Sequence, residues 1–143
     1  MQNKAGVDLA RRTWNALADR QEAFIDRFYQ GLFERYPDYR ALFPPSAAQR
    51  SRNMIETLSL LMGIDQAAVV QANLRYIGIQ HQGFRLQRND LERFRDVFIE
   101  ELGSVVGVSW SATEEQHWRR LFDTIVIPAM MQGLAGAHET NPI

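Results

Sequence analysis

Apolar residues recur along this chain every three to four positions, in runs broken by proline, glycine and short polar residues. Val7, Ala10, Trp14, Leu17 and Ala18 form a first amphipathic stripe. Asp19 stands three residues before Glu22, the spacing of a reciprocal helix cap. The helix it predicts carries Ile25, Phe28, Tyr29, Leu32, Phe33 and Tyr36 on its inner side. Pro37 interrupts that helix, and Leu42-Phe43-Pro44-Pro45 ends the short segment that follows. Ser46 with Gln49 predicts another cap, ahead of the buried stripe Met54, Ile55, Leu58, Leu61 and Met62, which Gly63 closes. Asp65 caps the approach to a helix with Leu74, Ile77 and His81 on one face, and Gly83 stops it. Asn89 and Glu92 predict the cap of a helix carrying Leu91, Phe94, Phe98 and Leu102, with Gly103 as its stop. A last helix begins near Ser111–Glu114 and buries Trp118, Leu121, Phe122, Ile125 and Ala129, with Pro128 kinking or fraying its end. Strand-like alternation and hairpin dipeptides are absent. The pattern predicts an all-α, single-domain chain over 1–143, with a core from about 7 to about 132 and a polar C-terminal tail.

Composition narrows the function classes. A chain of 143 residues at 45% hydrophobic content can bury a full core. The net charge of −1 leaves no basic footprint for nucleic acid or anionic lipid. Cysteine is absent, so there is no disulfide framework, thiolate site or Cys-x-x-Cys-His for covalent haem attachment. No apolar run approaches the ~20 residues of a membrane span, and the expected location is the cytoplasm. Ser/His/Asp arrangements, zinc-spaced clusters and phosphate loops are missing as well.

One histidine then stands out. His81 shares an apolar helical face with Leu74 and Ile77, so one ring nitrogen faces the interior and the other can reach the carbonyl near Ile77. That is how a neutral imidazole is presented to a metal with its tautomer fixed. A lone histidine in such a place is more often a core residue satisfied by ordinary hydrogen bonds, and periodicity alone leaves that reading open. Of the others, His117 lies at the edge of the last helix's stripe and is expected to be exposed, and His138 falls in the polar tail.

The stretches Phe28-Tyr29-Gln30-Gly31-Leu32-Phe33-Glu34-Arg35-Tyr36-Pro37, Ala41-Leu42-Phe43-Pro44 and Gly78-Ile79-Gln80-His81 change that balance. With Phe84 and Leu86 after His81, they resemble the globin family, in particular bacterial single-domain globins and the globin part of flavohaemoglobins. The resemblance covers effectively the whole domain. It implies helices packed around a non-covalent b-type haem whose iron takes a proximal histidine. By position His81 matches that ligand, Phe43 the phenylalanine wedged against the macrocycle, and Tyr29 the distal tyrosine of bacterial globins. Phe33, Phe94 and Leu86 match haem-lining positions, Ile77 lies one turn before the ligand, and Arg85 is a candidate for a propionate. Counting from Phe43 puts Arg50 at the distal position that is usually His or Gln, and Met54 one turn further. Gln49 or Asn53 takes the place of Arg50 if the bend is a residue longer or shorter.

The implied function is reversible binding of O2, NO or CO, with NO detoxification if an external reductase supplies electrons. Two departures from flavohaemoglobins bear on this. Leu91 and Gly133 stand where a tyrosine and a late glutamate would polarise the imidazole, which leaves little electron push for peroxide chemistry. Arg50 carries a permanent charge, either turned inward to favour small anions or outward to a propionate or solvent. A haem enzyme handling nitrite or peroxide is therefore the alternative, beside a globin-type gas sensor; His81 and Phe43 argue against a haem-free interaction module.

Overall fold

Helix boundaries follow from where backbone N–H and C=O groups find partners, and several fall elsewhere than the sequence pattern predicts. In the computed structural model, residues 2–64 and 66–140 are described, with side chains for 8–64, 66 and 68–135. Val7 as a stripe residue, Asp65 as a cap and the side chain of His138 lie outside that set. Helix α1 (Gln2–Leu17) buries Ala10, Trp14 and Leu17, but Ala18 turns out to solvent. Ala18 takes a left-handed φ of 48°, which breaks the helix and opens a 3-10 turn to Arg20. Helix α2 (Gln21–Arg35) starts from Arg20 without a side-chain cap, so the expected Asp19/Glu22 cap does not form. The kink at Ala18 redirects the chain before Asp19 can act.

Pro37 opens a 3-10 segment, Pro37–Leu42, at a position where its missing N–H costs nothing. Ser46 caps α3 (Ala47–Met62) by accepting from the Gln49 N–H at 3.3 Å. The Gln49 side chain does not close the box; it donates to Asn53 Oδ1 at 2.8 Å. The stripe of α3 is half-buried rather than buried, because Met54, Leu58, Leu61 and Met62 face an internal cavity.

Helix α4 (Ala67–Gln80) ends earlier than expected. His81 is its C-cap, and Gly83 sits inside the 3-10 turn Gln82–Phe84 that follows. Helix α5 (Arg88–Val106) is capped reciprocally by Gln87 and Asp90, not by Asn89 and Glu92. It runs through Gly103, where an added Cβ would lie 2.8 Å from Trp110 Nε1, and stops at Gly107, whose φ of 82° suits glycine. Helix α6 (Ala112–Leu121) is capped by Ser111, which accepts from the Glu114 N–H at 3.1 Å. Pro128 does not fray the end. The hydrogen-bond ladder widens to a π turn over Phe122–Val126 just before it, and α7 (Ile127–Thr140) continues beyond it.

Helix α2 lies against α5 and α3, α1 against α6, and α4 against α7. The α2–α5 seam is aromatic: Phe24 and Phe98 meet edge-on at 5.1 Å, and Phe28 and Phe94 at 4.7 Å. Strands are absent among the described residues, and no helix of them is long and apolar enough to cross a membrane.

Candidate functional site

A cavity of about 490 Å³ opens between the α2–α5 seam, α3 and the α4–α7 pair. Its wall is overwhelmingly apolar, with Phe43, Met54, Leu58, Ile77, Leu86, Leu91 and Phe94 among the lining side chains. Such a volume and lining are those of a small-molecule or cofactor site. Among the described residues His81 is the one imidazole on the wall. Its Nδ1 lies 2.7 Å from the Ile77 carbonyl oxygen. A carbonyl only accepts, so Nδ1 carries a proton, and in the neutral ring it is Nε2 that has the lone pair for an electrophile or metal.

The helix bearing His81 is set by a backbone-to-backbone contact. A Cβ added at Gly78 would lie 2.4 Å from the Met130 carbonyl oxygen, and one at Gly133 would lie 2.0 Å from that of Arg75. Only two glycines let α4 and α7 approach this closely. Gln82 adds a tie, its Nε2 donating to the Gly133 carbonyl at 2.8 Å. Periodicity does not show this contact, because the two glycines are far apart in the chain and neither carries an apolar signal.

Tyr29 is buried on the same wall. Its ring is held by Phe28 and Phe43, each at 5.1 Å, and by Phe33 at 5.7 Å. Its hydroxyl makes no hydrogen bond to any described residue. Burial pushes that hydroxyl well above its ordinary pKa, and the charge of Arg50 opposes the shift only in part. It therefore stays protonated at neutral pH and remains a donor.

Arg50 lines the cavity beside Tyr29. Its Nη1 donates to the carbonyls of Pro44 at 2.9 Å and Pro45 at 3.0 Å, which holds it at the cavity's rim. The guanidinium lies 5.6 Å from the Tyr29 ring centroid and 5.2 Å from that of Phe33. Of the alternatives for its position, Asn53 reaches the wall, whereas Gln49 is exposed and bound to Asn53.

Phe33 and Arg85 are the expected site residues that do not reach the wall. Phe33 is buried behind Tyr29 and Phe43, 5.7 Å from each ring, so it backs the lining rather than forming it. Arg85 is exposed at a left-handed φ of 56°, where the turn after His81 carries it outward. His117 is half-buried, not exposed, and is no part of the cavity.

The rim also carries a polar cluster that sequence spacing does not reveal. The Tyr39 hydroxyl donates to Asp90, Arg93 Nη1 donates to Tyr39 Oη at 3.1 Å, and the Gln87 N–H donates to Asp90 at 2.7 Å. It closes the cavity's edge by joining the 3-10 segment after Pro37 to the start of α5. Burial and the bond to Asp90 raise the Tyr39 pKa, against the pull of Arg93.

A globin family model matches residues 26–129. The chain belongs to the globin family. Comparison with curated proteins finds no match. Globins are haem proteins, and the residues present fit that cofactor: an apolar cavity of suitable size, one imidazole with Nδ1 already committed, and a protonated phenol on the same wall. Among the described residues no cluster of three or more His, Asp or Glu could hold a bare metal ion instead.

Proposed function

We propose that this globin holds one b-type haem non-covalently and reversibly binds O2, NO or CO. The observation that carries the reading is His81 on the cavity wall, its Nδ1 donating to the Ile77 carbonyl and its Nε2 left free. His81 would hold the haem through Nε2, and the bound haem would supply an iron able to take a diatomic ligand. His81 is oriented by a neutral carbonyl rather than by a carboxylate, so its imidazole pushes little electron density. Leu91 on the wall adds none. This favours ligand binding over cleavage of peroxide.

Tyr29 supplies the distal polarity. Its hydroxyl would donate a hydrogen bond to a diatomic ligand carrying partial negative charge, and its apolar surroundings would strengthen that bond. Phe43 holds the Tyr29 ring edge-on and limits its swing. The likeness of Phe28 to Pro37 and of Gly78 to His81 to bacterial single-domain globins and flavohaemoglobins supports NO oxidation as a turnover. An external reductase would supply its electrons. Location in the cytoplasm agrees with that role.

The test is the absorption spectrum of the purified chain, oxidised and reduced, with His81→Ala beside it. A Soret band with one haem per chain is expected, and the five-coordinate ferrous spectrum should disappear in the variant. If that spectrum survives in His81→Ala, the axial assignment is wrong.

A further inference from the structure

The walls of the cavity are closed in different ways. Between α2 and α5 the closure is ring against ring, and between α4 and α7 it is backbone against backbone. The edge between the 3-10 segment Pro37–Leu42 and the start of α5 is closed by polar atoms. None of the six residues of that segment is fully buried, yet Tyr39 and Leu42 line the cavity, and Phe43 and Pro44 continue the wall. Among the described residues every hydrogen bond between the segment and α5 passes through one atom, Tyr39 Oη. It donates to Asp90 and accepts from Arg93 Nη1 at 3.1 Å.

The two sides of this edge are not equally firm. On the α5 side, the second carboxylate oxygen of Asp90 accepts the Gln87 N–H at 2.7 Å as part of the helix cap. Arg93 Nη1 lies 3.8 Å from the first oxygen. The carboxylate therefore keeps partners when Tyr39 leaves it, and its side chain is 20% exposed, so water can take the vacated place. On the other side, the 3-10 segment stands between two non-helical residues, Tyr36 and Phe43. Its backbone bonds are local: the Tyr39 N–H donates to the Tyr36 carbonyl at 3.0 Å and the Phe43 N–H to that of Arg40 at 3.3 Å. Such 3-10 bonds are poorly aligned. The Tyr36 ring steadies the start of the segment, 5.5 Å from the Tyr39 ring and covered by Arg93 at 4.9 Å. A short stretch with few buried apolar groups opens at a lower free energy than helices that share a core.

We propose that the Tyr39–Asp90 hydrogen bond is the latch of a gate. The segment Pro37–Leu42 swings off α5 to admit and release the occupant of the cavity, and the Tyr39 hydroxyl holds it shut. The identity of that occupant rests on the haem reading; the gate itself does not. An occupant enclosed on most sides leaves only when a wall moves, and this wall is tied across by hydrogen bonds at a single atom. A latch acts differently from a lining residue. Breaking it raises the population of the open state, so entry and exit speed up together, while the contacts made in the closed state stay as they were.

The experiment uses Tyr39→Phe, which removes the hydroxyl and keeps the ring. In the haem-loaded chain, hydrogen exchange at the Tyr39 and Phe43 amides should rise at least about tenfold, while α2 and α7 exchange as in wild type. Haem uptake by the chain and haem transfer to an apo-globin acceptor should both accelerate at least about tenfold, with the equilibrium affinity nearly unchanged. The acceleration should persist with haem whose propionates are esterified, because the latch acts on the chain and not on the carboxylates of the cofactor. Asp90→Ala breaks the same bond from the other side, so adding Tyr39→Phe to it should speed transfer no further. If Asp90→Ala does not fold, Tyr39→Phe decides alone. Uptake and transfer at wild-type rates, a change in affinity through only one of the two rates, or an acceleration that vanishes with esterified haem would each overturn the gate.

Failure of the haem reading is separate: the wild-type chain would then show no Soret band. In that event anilinonaphthalene sulfonate, a fluorescent probe of apolar cavities, takes the place of haem in stopped-flow measurements. Its association and dissociation must both be about tenfold faster in Tyr39→Phe for the gate to stand; unchanged rates overturn it.

Discussion

Tyr29 shows how one atom can be isolated by its surroundings. Its ring is fixed by three aromatic neighbours, and its hydroxyl has no hydrogen-bond partner among the described residues. Under the proposed function, a charge-assisted hydrogen bond from it to a diatomic ligand would contribute about 1.5–3 kcal/mol. Tyr29→Phe keeps the ring and should speed O2 release about ten- to a hundredfold, measured by stopped flow. CO carries less negative charge and should respond much less. An unchanged O2 off-rate would remove Tyr29 from the distal role. The residue type and its position were readable in the sequence; the lack of a competing carbonyl was not, because it depends on which helices stand around the hydroxyl.

Helices α4 and α7 form the pair on which the position of His81 depends. Their contact at Gly78 and Gly133 leaves no room for a methyl group. Gly133→Ala would force the helices apart and should cost about 3 kcal/mol, lowering Tm by roughly 9 °C for a chain of this size. Thermal melts followed by circular dichroism check this. A variant that melts with the wild type would mean the contact relaxes freely. Helices α5, α6 and the π turn are joined differently, through Arg95, Asp96, Arg119 and Asp123. Burial would raise the Asp96 pKa, but bonds from Arg95 and Arg119 outweigh it and hold the group below its ordinary value. A depressed carboxylate stabilises the fold above its unfolded value of about 3.9, and that contribution is lost as pH falls through the folded value. Asp96→Asn should thus be less stable than wild type at pH 7 by up to about 1 kcal/mol, since the Asp96 side chain is half exposed. The gap should narrow as pH falls below the unfolded value and close once Asp96 is protonated in the folded chain as well. A gap that persists in acid would show that packing, not charge, is responsible.

The molecule as a whole is built around a hole that side chains do not fill. A cavity of about 490 Å³ is far larger than native packing leaves by accident. A ligand that fills it stabilises the folded state by about 2.7 kcal/mol at a hundred times its Kd. Adding haem should raise Tm by roughly 8 °C under that condition. Protection from hydrogen exchange should increase first in α3 and α4, whose apolar faces line the cavity. Haem uptake seen by spectrum without a rise in Tm would place the binding outside the cavity.

Periodicity was enough to determine the all-helical class, the aromatic inner face of α2 and the apolar stripes of α3, α5 and α6, because amphipathic spacing is a local property of the chain. The cap at Ser46 and the start of α6 near Ser111 were legible for the same reason, each acting within three residues. The bond from His81 to Ile77 needed only one helical turn. Caps failed where a neighbour overrode them: the left-handed kink at Ala18 displaced Asp19, and Gln87 with Asp90 claimed the start of α5. Everything that spans the molecule was decided by tertiary structure alone. The glycine contact of α4 with α7, the Tyr39–Asp90 tie and the perch of Arg50 on Pro44, Pro45, Tyr29 and Phe33 follow from which surfaces meet, and no local periodicity carries that information.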